Sequence, residues 1–265
     1  MCEEWLEEED LRTDFKEEER IYVQMDGSMI LTRETGWKEV KLGRIFGANS
    51  LLPLQTSRNY LRSSEYIHYL GGHNVFKQKM SDYIDAYEGL GKELVFINDG
   101  AKWQWNWIDS EYPSSTQILD FYHVMEHVGS YLKLGLKKES KEVQKNVIER
   151  CAKLLKEEGV DRMLEEIEAV RPLDLLPKSV KEKRLKLIGY LENNRKRIDY
   201  PSFIERGLLI GSGAIEAAHR TVIQKRMKLA GQRWSMKGAR NMLNLRNINI
   251  SGHWNRIVQY MARAA

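Results

Sequence analysis

Four consecutive apolar residues, Leu94, Val95, Phe96 and Ile97, run directly into Asn98-Asp99-Gly100, and this stretch limits the fold more than any other. A short continuous apolar run reads as a strand buried on both faces, which demands a layer on each side of a sheet. An acid at the end of such a strand, followed by glycine, lies where open α/β sheets place their ligands. The segments before it supply partners for that strand. Residues 21–31, IYVQMDGSMIL, alternate aliphatic residues around Asp26-Gly27. Trp37 to Gly47 reads as a second strand, joined to the first by a hairpin-like turn at Arg33 to Gly36. Leu52 to Tyr60 reads as a third extended segment, and Ser64 to Leu70 as the start of a helical stretch. Phe76, Met80, Tyr83, Ile84 and Tyr87 then follow helical spacing, with Gly89 and Gly91 as the stop.

After the central strand, Trp103, Trp105 and Trp107 recur at period two and read as packing residues. TQILDFYH, Thr116 to His123, reads as another short strand that carries Asp120 and His123. From there to about Tyr200 the pattern is helical and charge-laced, with Pro172 and Pro177 at two of the joins. A loop at Ile210 to Gly213 opens the helix that bears Glu216. Gly211 and Gly213 are expected to let the backbone turn tightly into that helix and place Glu216 on its first turn, facing the sheet. The expected organisation is an acidic leader (1–20), a first part of the core (21–127), a helical insertion (128–205) and a second part of the core (206–265).

Charge is distributed unevenly. From Arg206 to the C-terminus there are eleven Lys and Arg residues and one acid, Glu216. Such an excess can hold a polyanion by releasing its counterions. The candidate DNA-binding groups are Arg220, Lys225, Arg226, Lys228, Arg233, Trp234, Lys237 and Arg240. Trp234, Trp254 and His253 are groups that can lie against sugars or bases. The first twenty residues are acidic by ten to three and read as a solvated helix. No apolar run approaches the roughly 18 residues of a membrane span. Cys2 and Cys151 have no metal-ligand spacing and read as reduced thiols, so a cytoplasmic protein is expected.

Asp26 and Asp99 on strands, with Glu216 opening a helix, are three carboxylates from separate elements. Such a set suits two Mg²⁺ or Mn²⁺ ions, hard cations that take oxygen ligands and leave positions open for phosphate and water. A competing pattern is His123-Val-Met-Glu126-His127, an H-x-x-E-H signature in which two histidines would bind zinc and Glu126 would act as base. The charged helices that follow offer no distinctive acidic ligand to complete it.

Four blocks taken in order give a resemblance. They are VQMDGSMILTRETGWKEVKLGRIF, LVFINDGAKWQWNW, TQILDFYHVMEH, and LIGSGAIEAAHR followed by RMKLAGQRWSMKGARNMLNLR. Together, from about residue 20 to 255, they resemble the bacterial insertion-sequence transposases of the DDE superfamily related to the Mutator-like group. The resemblance implies a ribonuclease-H-like fold: a mixed five-stranded sheet with flanking helices and an all-helical insertion between the second and third acids. It implies that Asp26, Asp99 and Glu216 form the catalytic, metal-holding triad for two Mg²⁺ or Mn²⁺ ions. Asp120 and His123 match the D-x-x-H element of Mutator-like relatives and are implied to be accessory. Cleavage at element ends and joining of a 3′-hydroxyl to target double-stranded DNA would follow, by a homo-oligomer assembled on that DNA. Only about twenty residues precede the first strand, so the N-terminal region that reads the element ends is expected to be missing. The alternative from another class is a non-catalytic DNA-binding remnant.

Overall fold

A computed structural model describes residues 15, 17–53, 59–61, 63–255, 258–259 and 262. Of the expected acidic leader only residues 15 and 17–20 are described, and they are not a solvated helix: Phe15 and Glu18 are buried and Arg20 opens the first strand. Two compact units divide the chain, one of residues 1–116 with 212–265 and one of residues 117–211.

In the first unit, strands β1 (Arg20–Thr32) and β2 (Gly36–Gly47) form a long antiparallel hairpin. Two short strands follow, β3 (Leu51–Pro53) and β4 (Asn59–Leu61), paired with each other. Strand β5 (Glu65–Leu70) then pairs antiparallel with β2. Helix α1 (His73–Glu88) leads to β6 (Glu93–Asn98), which pairs parallel with β1. Helix α2 (Lys102–Glu111) leads to β7 (Thr116–Leu119), within which the chain passes to the second unit. The sheet order is β5-β2-β1-β6-β7. This mixed five-stranded sheet is the ribonuclease-H-like α/β arrangement that the sequence leads one to expect.

Period-two alternation sorts β1 into two faces. Gln24, Asp26, Ser28 and Ile30 share one face, along which the chain returns at its C-terminal end. There α8 (Gly213–Ala218) runs into a π-helical stretch, His219–Gln224, then a last turn, α9 (Lys225–Met227), and α10 (Met236–Ile250). An apolar cluster joins these layers: Ile30, Val40, Leu42, Tyr66 and Leu70 from the sheet with Ile215, Ala218, Val222, Ile223 and Leu243 from the helices. On the opposite face, Gly43 lets Phe76 and Met80 of α1 rest on β2, because a Cβ there would meet Met80 Sδ at 2.3 Å. Phe96, Trp107 and Tyr112 interlock beside it, with Trp107 edge-on to both other rings. Trp105 and Trp107 are buried in α2, as packing residues. Leu94 to Ile97 are buried, as the continuous apolar run requires.

Two sequence expectations are corrected. Ser64 to Leu70 does not begin a helix, because EYIHYL supplies β-formers that complete the edge of β2. The strand expected through His123 stops at Leu119, since Asp120 caps the next helix.

The second unit holds α3 (Phe121–Gly135), α4 (Lys141–Glu157), α5 (Val160–Val170), α6 (Lys178–Asn193) and α7 (Tyr200–Glu205). These are the helices expected between Asp99 and Glu216. Ser140 caps α4 through Val143 N–H at 3.2 Å. Arg184, 4% exposed, donates to Arg171 O at 2.9 Å and pairs with Glu168. Tyr200 Oη donates to Leu119 O at 2.8 Å, tying α7 to the end of β7.

Candidate functional site

Strand β1 places Asp26 in mid-strand on the face covered by α8. Asp26 Oδ1 accepts the Gly27 N–H at 2.6 Å. Its neighbours on that face are both held by the returning segment. Gln24 Oε1 accepts the Ile215 N–H at 3.0 Å, and Ser28 Oγ accepts from Lys228 Nζ at 3.1 Å. The start of α8 is therefore anchored to β1 two residues from Asp26.

Asp99 follows the last residue of β6, and its Oδ1 accepts the Ala101 N–H at 3.3 Å. The β1–β6 ladder runs from Arg20 beside Glu93 to Val23 beside Phe96, a constant offset of 73 residues. Beyond it, side chains replace the ladder. Met25 N–H donates to Asn98 Oδ1 at 2.8 Å, again 73 residues away, and Gln104 Nε2 donates to Met25 O at 3.3 Å. The paired register itself ends at Val23 and Phe96, and the Met25–Asn98 hydrogen bond lies one residue before Asp26 and Asp99 on both segments.

Glu216 lies on the first turn of α8, as expected, but it is exposed. Ile215 and Ala218 are the residues that face the sheet, and at about 100° per residue Glu216 falls to their side. Gly211 and Gly213 also serve differently from expectation, since neither has a positive φ. Gly211 instead admits the ring of Tyr122, which a Cβ would meet at 2.9 Å.

One turn beyond Glu216 stands His219, the first residue of the π-helical stretch. Its side chain is 5% exposed, and Nε2 lies 3.2 Å from Asp26 Oδ2. Neither ring nitrogen makes a hydrogen bond of good geometry. Burial, aided by the charge of Lys228 and opposed by Asp26, pushes its pKa down to about 4. At neutral pH the contact is thus between a neutral imidazole and a carboxylate, not an ion pair.

Oxygen donors from Asp26, Asp99 and Glu216 suit a hard divalent cation. The buried His219 imidazole, with neither nitrogen in a hydrogen bond of good geometry, adds a nitrogen donor beside Asp26. The residues present therefore fit such an ion. Asp26 and His219 already touch, although among the described residues no three His, Cys, Asp or Glu side chains are gathered at ligand distance.

Arg220, Lys225, Arg226, Lys228, Arg233, Lys237 and Arg240 are all exposed. Trp234 is half-buried: its indole N–H donates to Met227 O at 3.2 Å, and its backbone is joined to Leu31 and Arg33 of the β1–β2 hairpin. Arg246 is turned inward, donating to the carbonyls of Thr221 and Val222 in the π-helical stretch. His253 Nε2 lies 3.0 Å from the buried Glu65, whereas Trp254 is exposed.

Asp120 and His123 belong to the second unit, where they are joined to each other. Asp120 is buried and caps α3, accepting the His123 N–H at 2.7 Å. His123 Nε2 lies 3.3 Å from His127 Nε2, and Glu126 is 3.7 Å from His123 Nδ1. Burial, then the neighbouring His123, lowers the His127 pKa. Cys151 is buried, and burial pushes its thiol up to about 11, away from thiolate chemistry.

A family model matches residues 7–264. The chain belongs to the uncharacterised protein family UPF0236. No curated protein matches it. In this UPF0236 chain no described helix is long and apolar enough to cross a membrane.

Four residues of the site escape a reading of motifs: Gln24, Asn98, Gln104 and His219. Three carry a signal that spacing could have found. Gln24 is one strand period from Asp26, His219 is one helical turn from Glu216, and Asn98 adjoins Asp99. Gln104 carries none, because its partner is a backbone carbonyl 79 residues away.

Proposed function

We propose that this chain is the catalytic core of a DDE-type transposase, a cytoplasmic protein that cleaves and joins strands of double-stranded DNA with divalent metal ions. The observation that carries the reading is the Met25–Asn98 hydrogen bond, which ties β1 to β6 one residue before Asp26 and Asp99, beside the anchored start of α8. Asp26, Asp99 and Glu216 are the residues that would hold two Mg²⁺ or Mn²⁺ ions. Such ions supply an activated water or 3′-hydroxyl and neutralise charge on the departing oxygen.

The chain's own residues supply position. Gln24 holds the start of α8, and with it Glu216, against β1. Asn98 and Gln104 hold the Met25 backbone and so the level of Asp26. Lys228, tied to Ser28 one strand period from Asp26, would meet a phosphate oxygen. In the reaction, the attacking oxygen forms a bond to phosphorus as the opposite P–O bond breaks, leaving a 3′-hydroxyl on the cut strand. In the joining step that hydroxyl attacks a target phosphodiester in the same way. Asp120 and His123 are proposed as accessory groups.

The test is direct. Purified protein with Mg²⁺ or Mn²⁺ and DNA bearing the flanking terminal repeats should nick or join strands. Asp99→Asn should abolish this while leaving thermal unfolding unchanged. Full activity in that variant would sink the assignment.

A second reading is DNA binding without catalysis, favoured by the row of exposed cations from Arg220 to Arg240. It predicts DNA binding that is indifferent to Asp26, Asp99 and Glu216, together with no effect of divalent ions on thermal unfolding.

A further inference from the structure

His219 is the residue of the site whose burial the fold does not explain. An imidazole loses water's hydrogen bonds when buried, and native structures almost always replace them. Here neither Nδ1 nor Nε2 meets a partner in good hydrogen-bond geometry, although the side chain is 5% exposed and Asp26 is the polar group beside it. Apolar packing alone is already served by its neighbours Ala218, Val222 and Ile223 in the same cluster. The ring is aimed instead: Nε2 faces Asp26 Oδ2 at 3.2 Å. Two donors bound side by side to one ion, at ordinary lengths of about 2.0–2.2 Å, stand about 3 Å apart. The observed separation is close to that of two ligands sharing an ion.

Glu216 lies one turn before His219 but is exposed, so Asp26 and His219 are the two donors already side by side. The π-helical stretch begins at His219 itself, a local widening that recurs at functional sites. Lys228, the nearby cation, donates to Ser28 Oγ and has no lone pair for a metal.

We infer that His219 is a nitrogen ligand to the ion held by Asp26, and that it makes the site select Mn²⁺ over Mg²⁺. The inference rests on the metal-dependent reading above. Its chemistry is that of the donors: Mg²⁺ demands oxygen and retains its waters, whereas first-row transition ions accept imidazole.

Pulsed electron paramagnetic resonance on the full chain loaded with Mn²⁺ alone tests this without reference to activity. The wild type should show ¹⁴N modulation from a directly bound imidazole, and His219→Gln should lose it. Mn²⁺ affinity should fall about 10- to 100-fold in that variant, while Mg²⁺ affinity, measured by competition, changes less than about twofold. Bound Mn²⁺ that is lost in Asp26→Asn but shows no nitrogen coupling in the wild type overturns the role of His219 and leaves the carboxylate site standing. Mn²⁺ binding that survives in Asp26→Asn, or is absent from the wild type, overturns both. The wild-type spectrum decides even if His219→Gln does not fold.

Discussion

At Met25 the backbone leaves the β1–β6 ladder, and two amide side chains take over its hydrogen bonds. Asn98 accepts from the N–H and Gln104 donates to the carbonyl. Neither group can be satisfied by the adjacent strand, because the paired register ends at Val23 and Phe96. Pairing stops short of Asp26 and Asp99, and the amides hold the Met25 backbone instead. Replacing Asn98 with Ala removes the acceptor and strands a buried N–H. Urea unfolding should show a loss of about 1–3 kcal/mol. The apolar run and the acid after it were legible in the sequence. The partner of Asn98 was not, since its neighbour Asp99 marks the position while the backbone it holds lies 73 residues away.

Among the elements, α10 and β5 meet through polar contacts. His68 Nε2 lies 2.9 Å from Asn244 Oδ1, and Asn247 donates to Tyr66 O. His68 is enclosed, and burial pushes its pKa down to about 4 from an ordinary value near 6.5. Below about pH 6.5 the unfolded chain takes up a proton that the folded chain refuses. The stability associated with His68 is therefore fully present above that pH and is lost as pH falls toward 4. The loss is on the order of 3 kcal/mol. Urea midpoints between pH 7 and 4 should fall, and the fall should be smaller in His68→Gln. An equal fall in that variant would assign the pH dependence elsewhere. The strand β5 was misread as helix because its six residues are too few for period to speak clearly, and its state is decided by the edge of β2 that it completes.

For the whole molecule the organising fact is charge. Eleven cations and one acid follow from residue 206 onward, and the seven named from Arg220 to Arg240 stay exposed. Lys237 and Arg240 lie on one side of α10, one turn apart. Under the proposed function they meet phosphate rather than bases. Replacing both with Ala should weaken binding to DNA of any sequence. It should also reduce the slope of log K against log salt by about 2, at roughly 0.9 per phosphate contact. A change confined to one DNA sequence would assign them to base recognition instead.

By itself the sequence determined the α/β class, the central buried strand, the helical stretch between Asp99 and Glu216, and the basic end. Each of these is written in local periodicity or in summed charge, which neighbours in the chain carry alone. Only the tertiary structure decided the tie from Met25 to Asn98 beside Asp26 and Asp99, the sideways position of Glu216 on α8, and the burial of His219 against Asp26. Those depend on contacts between residues 73 to 193 positions apart. Nothing in a local pattern encodes which distant backbone or carboxylate a side chain will meet; packing of the completed sheet against α8 selects it.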